Sequence, residues 1–145
     1  MKYHHRFQVR AKLASVIGFH SRAESMAAIT PLPIIIRMKH APATLAEGGV
    51  MDFTMWLGPF PIHWLARIQD VSATGFTDRQ LEGPFAEWVH QHIFVAVDEQ
   101  TSVILDEVNL RLHSHPMRWL VGMIMWLGLP LLFAYRAWKT RRMLQ

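Results

Sequence analysis

The stretch WLVGMIMWLGLPLLFAY, residues 119 to 135, carries no charge and lies between Arg118 and Arg136. As a helix it is ~26 Å long, close to the ~30 Å hydrocarbon layer of a bilayer. Two folds follow from two readings of it. A membrane span is favoured by the apolar run and by the basic tail RAWKTRR, which suits a cytoplasmic flank. Against a span stand Gly122, Gly128, Pro130, the marginal length and the β-rich sequence that precedes it. A central helix covered by a sheet can be apolar nearly all round. Burial is the reading adopted here, and membrane contact through this helix stays open beside it.

Working back towards the first residue, the chain reads mainly as strands. Lys2 to Arg10 alternates, with Tyr3, His5, Phe7 and Val9 on one face and charged or polar residues on the other. AKLASVIGFHSRAESMAAIT has helical composition broken near HSR, so two short helices are expected, the second stopped by Thr30-Pro31-Leu32-Pro33. IIIRMKH is a strand and APATLAEGG a loop. VMDFTMWL and IHWLARIQDV form a hairpin across GPFP, and Ile62, Trp64, Ala66 and Ile68 share a face of the second strand. GFTDRQL, WVHQHIFVAV and TSVILDEVNLRL complete the set, separated by EGPFAE and DEQ. The last helix is expected to start near His115-Pro116, since proline suits a first helical turn.

The order β-α-α-β-β-β-β-β-β-α predicts a single α+β domain over residues 1–145. A curved antiparallel sheet of about seven strands wraps the long C-terminal helix, leaving space between them for a ligand. Composition narrows the function. Lys plus Arg number 15 and Asp plus Glu 11, a net charge of +4, but basic residues do not cluster among aromatics outside the terminal RAWKTRR. Nucleic acid is therefore not an expected partner. The chain has no cysteine, so a thiolate nucleophile, a disulfide and a Cys-type zinc site are excluded. MKYHHRFQVRAKL lacks the apolar run of a signal peptide, and a cytoplasmic location is expected.

The order of elements, together with GGVMDFTMWLGPFPIHWLARIQDV, GFTDRQLEGPFAEWVHQHIF, LDEVNLRL and LLFAYRAWKTRR, resembles the helix-grip fold of the SRPBCC superfamily. That superfamily includes START-related domains and polyketide cyclase/dehydrases. Within it the chain is similar to the bacterial cyclase/dehydrase-like or coenzyme-Q-binding-like branch. The resemblance implies a deep apolar cavity for a lipid, quinone, sterol or polyketide. It does not imply catalysis, because many relatives only bind.

His90 and His92 lie two apart on one strand and project from the same face with Trp88 and Phe94. On the following strand Ile104, Asp106, Val108 and Leu110 form the more apolar face. A three-residue loop at Asp98 to Gln100 puts Phe94 opposite Ile104, His92 opposite Asp106 and His90 opposite Val108. A two-residue turn would bring Glu107 opposite His92 instead; the first register keeps one apolar face intact and is preferred. Asp78 and Gln80 point the same way from the strand before. The expected ligand-binding wall is therefore Phe7, Trp64, Asp78, Gln80, Trp88, His90, His92, Phe94 and Asp106. His5 adds a polar spot, and Trp56 would add a third indole to Trp64 and Trp88.

Two imidazoles and two carboxylates could hold a metal or move protons on a carbonyl substrate, with His90 or His92 as the acid or base. The expectation favours neither a metal nor a cofactor. These groups are read first as hydrogen-bonding one another and the polar end of an apolar ligand. The predicted function is binding or carrying of a hydrophobic small molecule. Polyketide cyclase/dehydratase-type catalysis is the first alternative, and a membrane-anchored protein using the last helix is the second. The sequence leaves the oligomeric state open.

Overall fold

The computed structural model describes all residues from Met1 to Gln145. In chain order the elements are β1 (Lys2–Val9), α1 (Leu13–His20), α2 (Glu24–Ala28), β2 (Ile34–His40), β3 (Val50–Leu57) and β4 (Phe60–Ser72). Then come β5 (Gly75–Glu82), β6 (Phe85–Ala96), β7 (Ser102–Leu112) and α3 (Pro116–Leu144). All seven strands form one antiparallel sheet in the order β1-β7-β6-β5-β4-β3-β2. β1 and β2 are thus opposite edges, and α1 and α2 carry the chain from one to the other.

Two boundaries differ from the sequence expectation, for one reason. β4 begins at Phe60 and β6 at Phe85, because the turns are tighter than GPFP and EGPFAE suggested. Leu57 pairs directly with Phe60, leaving only Gly58 and Pro59 to turn, and Gly58 takes a φ of 60°. That left-handed conformation suits glycine. At the second turn Gln80 grips Phe85 from both sides: its Nε2 donates to the Phe85 carbonyl at 2.8 Å and its Oε1 accepts the Phe85 amide at 3.2 Å.

The sheet is curved, and its pairing is irregular at four places of the kind that bend a strand. Register shifts occur at Met38/His40, Leu65/Ala66, Gln69/Ser72 and Phe85/Glu87. Near one of them Asp70 adopts a φ of 55°, and the Glu47 carboxylate accepts the amides of Asp70 and Val71 at 3.2 and 3.1 Å. Strand parity decides what enters the core. On β4, Trp64, Ala66 and Ile68 are buried; on β3, Met51 and Phe53.

α3 lies in the concavity. Gly122, Leu129, Phe133, Ala137 and Thr140 recur at helical spacing and form its buried side. Gly122 permits close approach, since a Cβ there would lie 3.0 Å from Leu112 and 3.4 Å from Phe85. His115 caps the helix by accepting the Met117 amide, and Pro116 occupies the first turn. The expectation that this helix is apolar all round because it is buried all round does not hold. Only 17% of its most hydrophobic 18-residue window is buried. The sheet covers one face; Met117, Leu120, Ile124, Leu127, Leu131 and Trp138 stand exposed on the other.

Candidate functional site

Between sheet and helix lies a cavity of about 330 Å³. Its walls are apolar: Met26 from α2, Phe53, Trp64, Ala66 and Ile68 from the sheet, Leu129 and Phe133 from α3. Trp64 stacks on Phe53 with ring centroids 6.0 Å apart and meets Trp88 edge-on at 5.3 Å. One region of the wall is polar, formed by Asp78, His90, His92, His20 and Arg136.

The pairing that builds this region is the preferred one of the two read from the alternation: His92 opposite Asp106, His90 opposite Val108, Phe94 opposite Ile104. Across β5, Asp78 is opposite His90. The shortest hydrogen bonds nevertheless run diagonally. His90 Nε2 lies 2.8 Å from Asp106 Oδ1, and His92 Nε2 lies 2.7 Å from Asp78 Oδ2. The direct His92 Nδ1 to Asp106 approach is 3.5 Å, as is His90 Nδ1 to Asp78. An imidazole reaches its far nitrogen towards the diagonal neighbour, a cross-strand distance that long side chains bridge. The two rings lie 3.8 Å apart, so two imidazoles and two carboxylates close into a four-membered box. Trp88 Nε1 donates to Asp78 at 3.3 Å, Phe76 stacks on His92 at 4.4 Å and Phe133 meets His90 edge-on at 5.5 Å.

The electrostatics follow from that packing. Burial alone would raise Asp106, but the hydrogen bond and charge of His90, with His92 and Arg136 beyond it, hold the carboxyl at about 2. Asp78 is lowered in the same way: burial opposes, and His90, His92 and Trp88 outweigh it. His92 is lowered because it is desolvated and lies against His90, with Asp78 and Asp106 pulling the other way. His20 donates to the Val16 carbonyl at 2.9 Å and packs on Phe94; burial pushes it down to about 4. Arg136 is lowered by burial, opposed by Asp106 and Asp78. The donor atoms of Asp78, His90 and His92 lie within 4.8 Å of one another, close enough to converge on a metal ion. Each is already engaged by a protein partner.

Of the residues expected to line a ligand, Trp64, Asp78, Trp88, His90 and His92 face the cavity. Four do not. Gln80 has the right parity but spends both ends of its amide on the turn at Phe85. Phe7 and Phe94 belong to a second apolar cluster with Val9, Ala11, Val16, Ile104 and Ala137, packed away from the cavity. Asp106 is buried behind His90, which it orients. Trp56 falls on the outward parity of β3, whose cavity-facing residues are Met51, Phe53, Met55 and Leu57. His5 is opposite Asp106 on β1, and its Nδ1 is buried without a partner. Most of the cavity lining escaped the sequence reading, Arg136 and His20 among its polar members. Arg136 looked like the flank of an apolar run, and His20 looked like a helix terminus. Only the seating of α3 and α1 over the sheet brings them in.

The fold is that of helix-grip, START-like proteins. Zhui aromatase/cyclase from Streptomyces sp. R1128 superposes with a TM-score of 0.71 at 15% identity, covering 99% of this chain and 95% of that one. Norcoclaurine synthase from Thalictrum flavum, solved with dopamine and hydroxybenzaldehyde, gives 0.69 at 17% identity, covering 99% and 85%. A START superfamily protein from Mycobacterium smegmatis gives 0.65 at 9% identity, covering 96% and 98%. No family model matches the chain, and no curated protein matches it in sequence. At these identities the likeness defines the fold, and the chemistry has to be argued from the cavity.

Proposed function

We propose that the protein binds and carries an apolar small molecule in the cavity between the sheet and α3. The observation that carries this reading is the cavity's asymmetry: a mostly apolar wall with a buried polar cluster at Asp78, His90, His92 and Arg136, and Arg22, Ser25 and Thr30 as its other polar lining besides His20. Such a site takes up apolar surface and fixes orientation by a few polar groups. Ligand binding and polyketide cyclisation among START-like proteins of this fold support the general class. Ala66 is the test position, because it is buried in the sheet wall and carries a small side chain. Ala66→Trp should fill the cavity and abolish uptake of a fluorescent apolar probe, with the folded circular dichroism spectrum retained. Undiminished uptake by a folded Ala66→Trp protein would show that the ligand space lies elsewhere. Native mass spectrometry of the wild-type chain should show a retained lipophile.

A second reading is favoured by one observation, the His92–Asp78 pair at the cavity wall. A carboxylate holding an imidazole is the arrangement of a general base; with Nε2 held by Asp78, the nitrogen left to take a proton is His92 Nδ1, 3.5 Å from Asp106. Cyclase- or dehydratase-type chemistry would then use His92 to take a proton and Asp78 to hold its ring. Turnover of a poly-β-keto substrate, lost in His92→Phe while probe binding persists, would favour this reading over a carrier.

A further inference from the structure

We propose that Arg136 anchors the ligand's polar end, and that this end is a neutral carbonyl oxygen, as in a ketone or quinone. The proposal rests on the cavity reading above and adds the chemistry of the ligand. Arg136 lines the cavity, and its Nε is buried with no hydrogen-bond partner. Its guanidinium sits over the Phe133 ring at 5.4 Å. Neither nearby carboxylate pairs with it, because both are already engaged. Asp78 accepts from His92 and Trp88, and Asp106 accepts from His90. The Arg136 Nη groups likewise have no protein hydrogen-bond or ion-pair partner, so a ligand acceptor at the cavity wall supplies what the protein does not. A carboxylate would bring a third negative charge beside two aspartates. A carbonyl oxygen accepts the same hydrogen bond without that repulsion.

Three probes with one tricyclic skeleton separate the contributions: anthracene, anthraquinone and anthracene-9-carboxylate. Wild-type protein should prefer anthraquinone to anthracene by about tenfold or more, the range for a hydrogen bond to a charged donor. It should bind the carboxylate less well than the quinone. Arg136→Leu should erase the quinone preference, read as the ratio of anthraquinone to anthracene affinity within each protein, and Arg136→Gln should retain part of it. An unchanged quinone preference in both variants, or tightest binding of the carboxylate, overturns the anchor. Failure of anthracene itself to bind would sink the cavity reading instead, so the two failures are distinct.

A separate observation carries a second inference. The geometry points to the outer face of α3 as a docking surface for an anionic bilayer, the helix lying in the membrane plane. The exposed apolar residues Met117, Leu120, Ile124, Leu127, Leu131 and Trp138 recur at three- and four-residue spacing. Arg118 stands at one end of this stripe and Lys139, Arg141 and Arg142 at the other, and α3 contains no Asp or Glu. An exposed apolar stripe flanked by cations offers the two contributions to interfacial binding, buried apolar area and attraction to anionic lipid. A second copy of the chain is a poorer occupant, since paired stripes would bring cations together with no carboxylate between them. Ile124 also lines the cavity, and exposed Leu32 and Phe60 adjoin its lining residues Pro33 and Leu57. Apolar side chains from three segments therefore lie beside the cavity.

The full chain should co-sediment with phosphatidylcholine vesicles containing about one-third phosphatidylglycerol, and release as salt rises. It should stay free with phosphatidylcholine alone, and Leu127→Glu combined with Leu131→Glu should abolish sedimentation without changing the fold. A concentration-dependent dimer that the same pair of changes dissociates, with no vesicle binding, overturns the inference. So does equal sedimentation of wild-type and variant chains.

Discussion

At the scale of single residues, the site is governed by what burial forces on titratable groups. His20 is held at about 4 against an ordinary 6.5, so the unfolded chain takes up its proton first as pH falls. Stability from this group is complete above 6.5 and declines as pH drops towards 4. Asp106, at about 2 against 3.8, adds a further loss between those values. Urea midpoints should therefore fall between pH 7 and pH 4. His20→Phe, which keeps a ring against Phe94, should flatten that limb; an identical slope in the variant would show that another group sets it. Gly75 is a second sensitive residue. A Cβ there would collide with the His92 carbonyl oxygen, so Gly75→Ala must push β5 away from β6. The expected cost is about 1–3 kcal/mol in urea melts, with weaker probe binding because Asp78 rides on the displaced strand. The cavity-side positions of His90, His92, Asp78, Trp64 and Trp88 were legible in the sequence because strand parity has a period of two. The diagonal hydrogen bonds were not, because pairing register says which Cα atoms face each other and nothing of where a ring nitrogen ends up.

Among the elements, α3 decides whether the rest holds together. Leu129 and Phe133 are buried in the main core cluster with Trp64, Phe85 and Trp88, and Ala137 joins the second cluster with Phe7 and Phe94. Deleting Pro116 to Gln145 would expose the inward faces of the strands. At about 25 cal/mol per Å² of apolar surface, that loss exceeds the ~5–15 kcal/mol net stability of a typical domain. The truncated chain should aggregate; a soluble, cooperatively melting product would show that α3 is an appendage. The sequence located this helix and its first turn well, since His115-Pro116 is a strong local signal. It misjudged how the helix is covered. A one-dimensional apolar run does not say whether a sheet encloses one face or both, and here the residues facing outward are nearly as apolar as those facing in.

The whole molecule is a shell around a space, and on the proposed carrier function a molecule held there would add to its stability. A ligand that binds only the folded chain stabilises it by about 2.7 kcal/mol at a hundredfold excess over Kd. Extraction with organic solvent should thus lower the melting temperature of freshly purified protein, and adding back the extract should restore it. The overall architecture was readable because short hairpin loops leave few ways to order β3 to β7. The placement of β1 was not readable, since no local signal ties it to the far edge. That placement has a kinetic consequence. Lys2 lies opposite Asn109 and Val9 opposite Ser102, while the Gln8 carbonyl accepts from Arg141 and the Arg10 amide donates to Gln145. The first strand thus gains its partners only from residues about a hundred positions later, whereas β2 to β7 can zip together as neighbouring hairpins. Contacts this distant in sequence form late and slow the search. Phe7→Leu should accordingly hasten unfolding and leave the refolding rate nearly unchanged in stopped-flow chevrons, whereas Trp64→Leu, inside the early meander, should slow refolding.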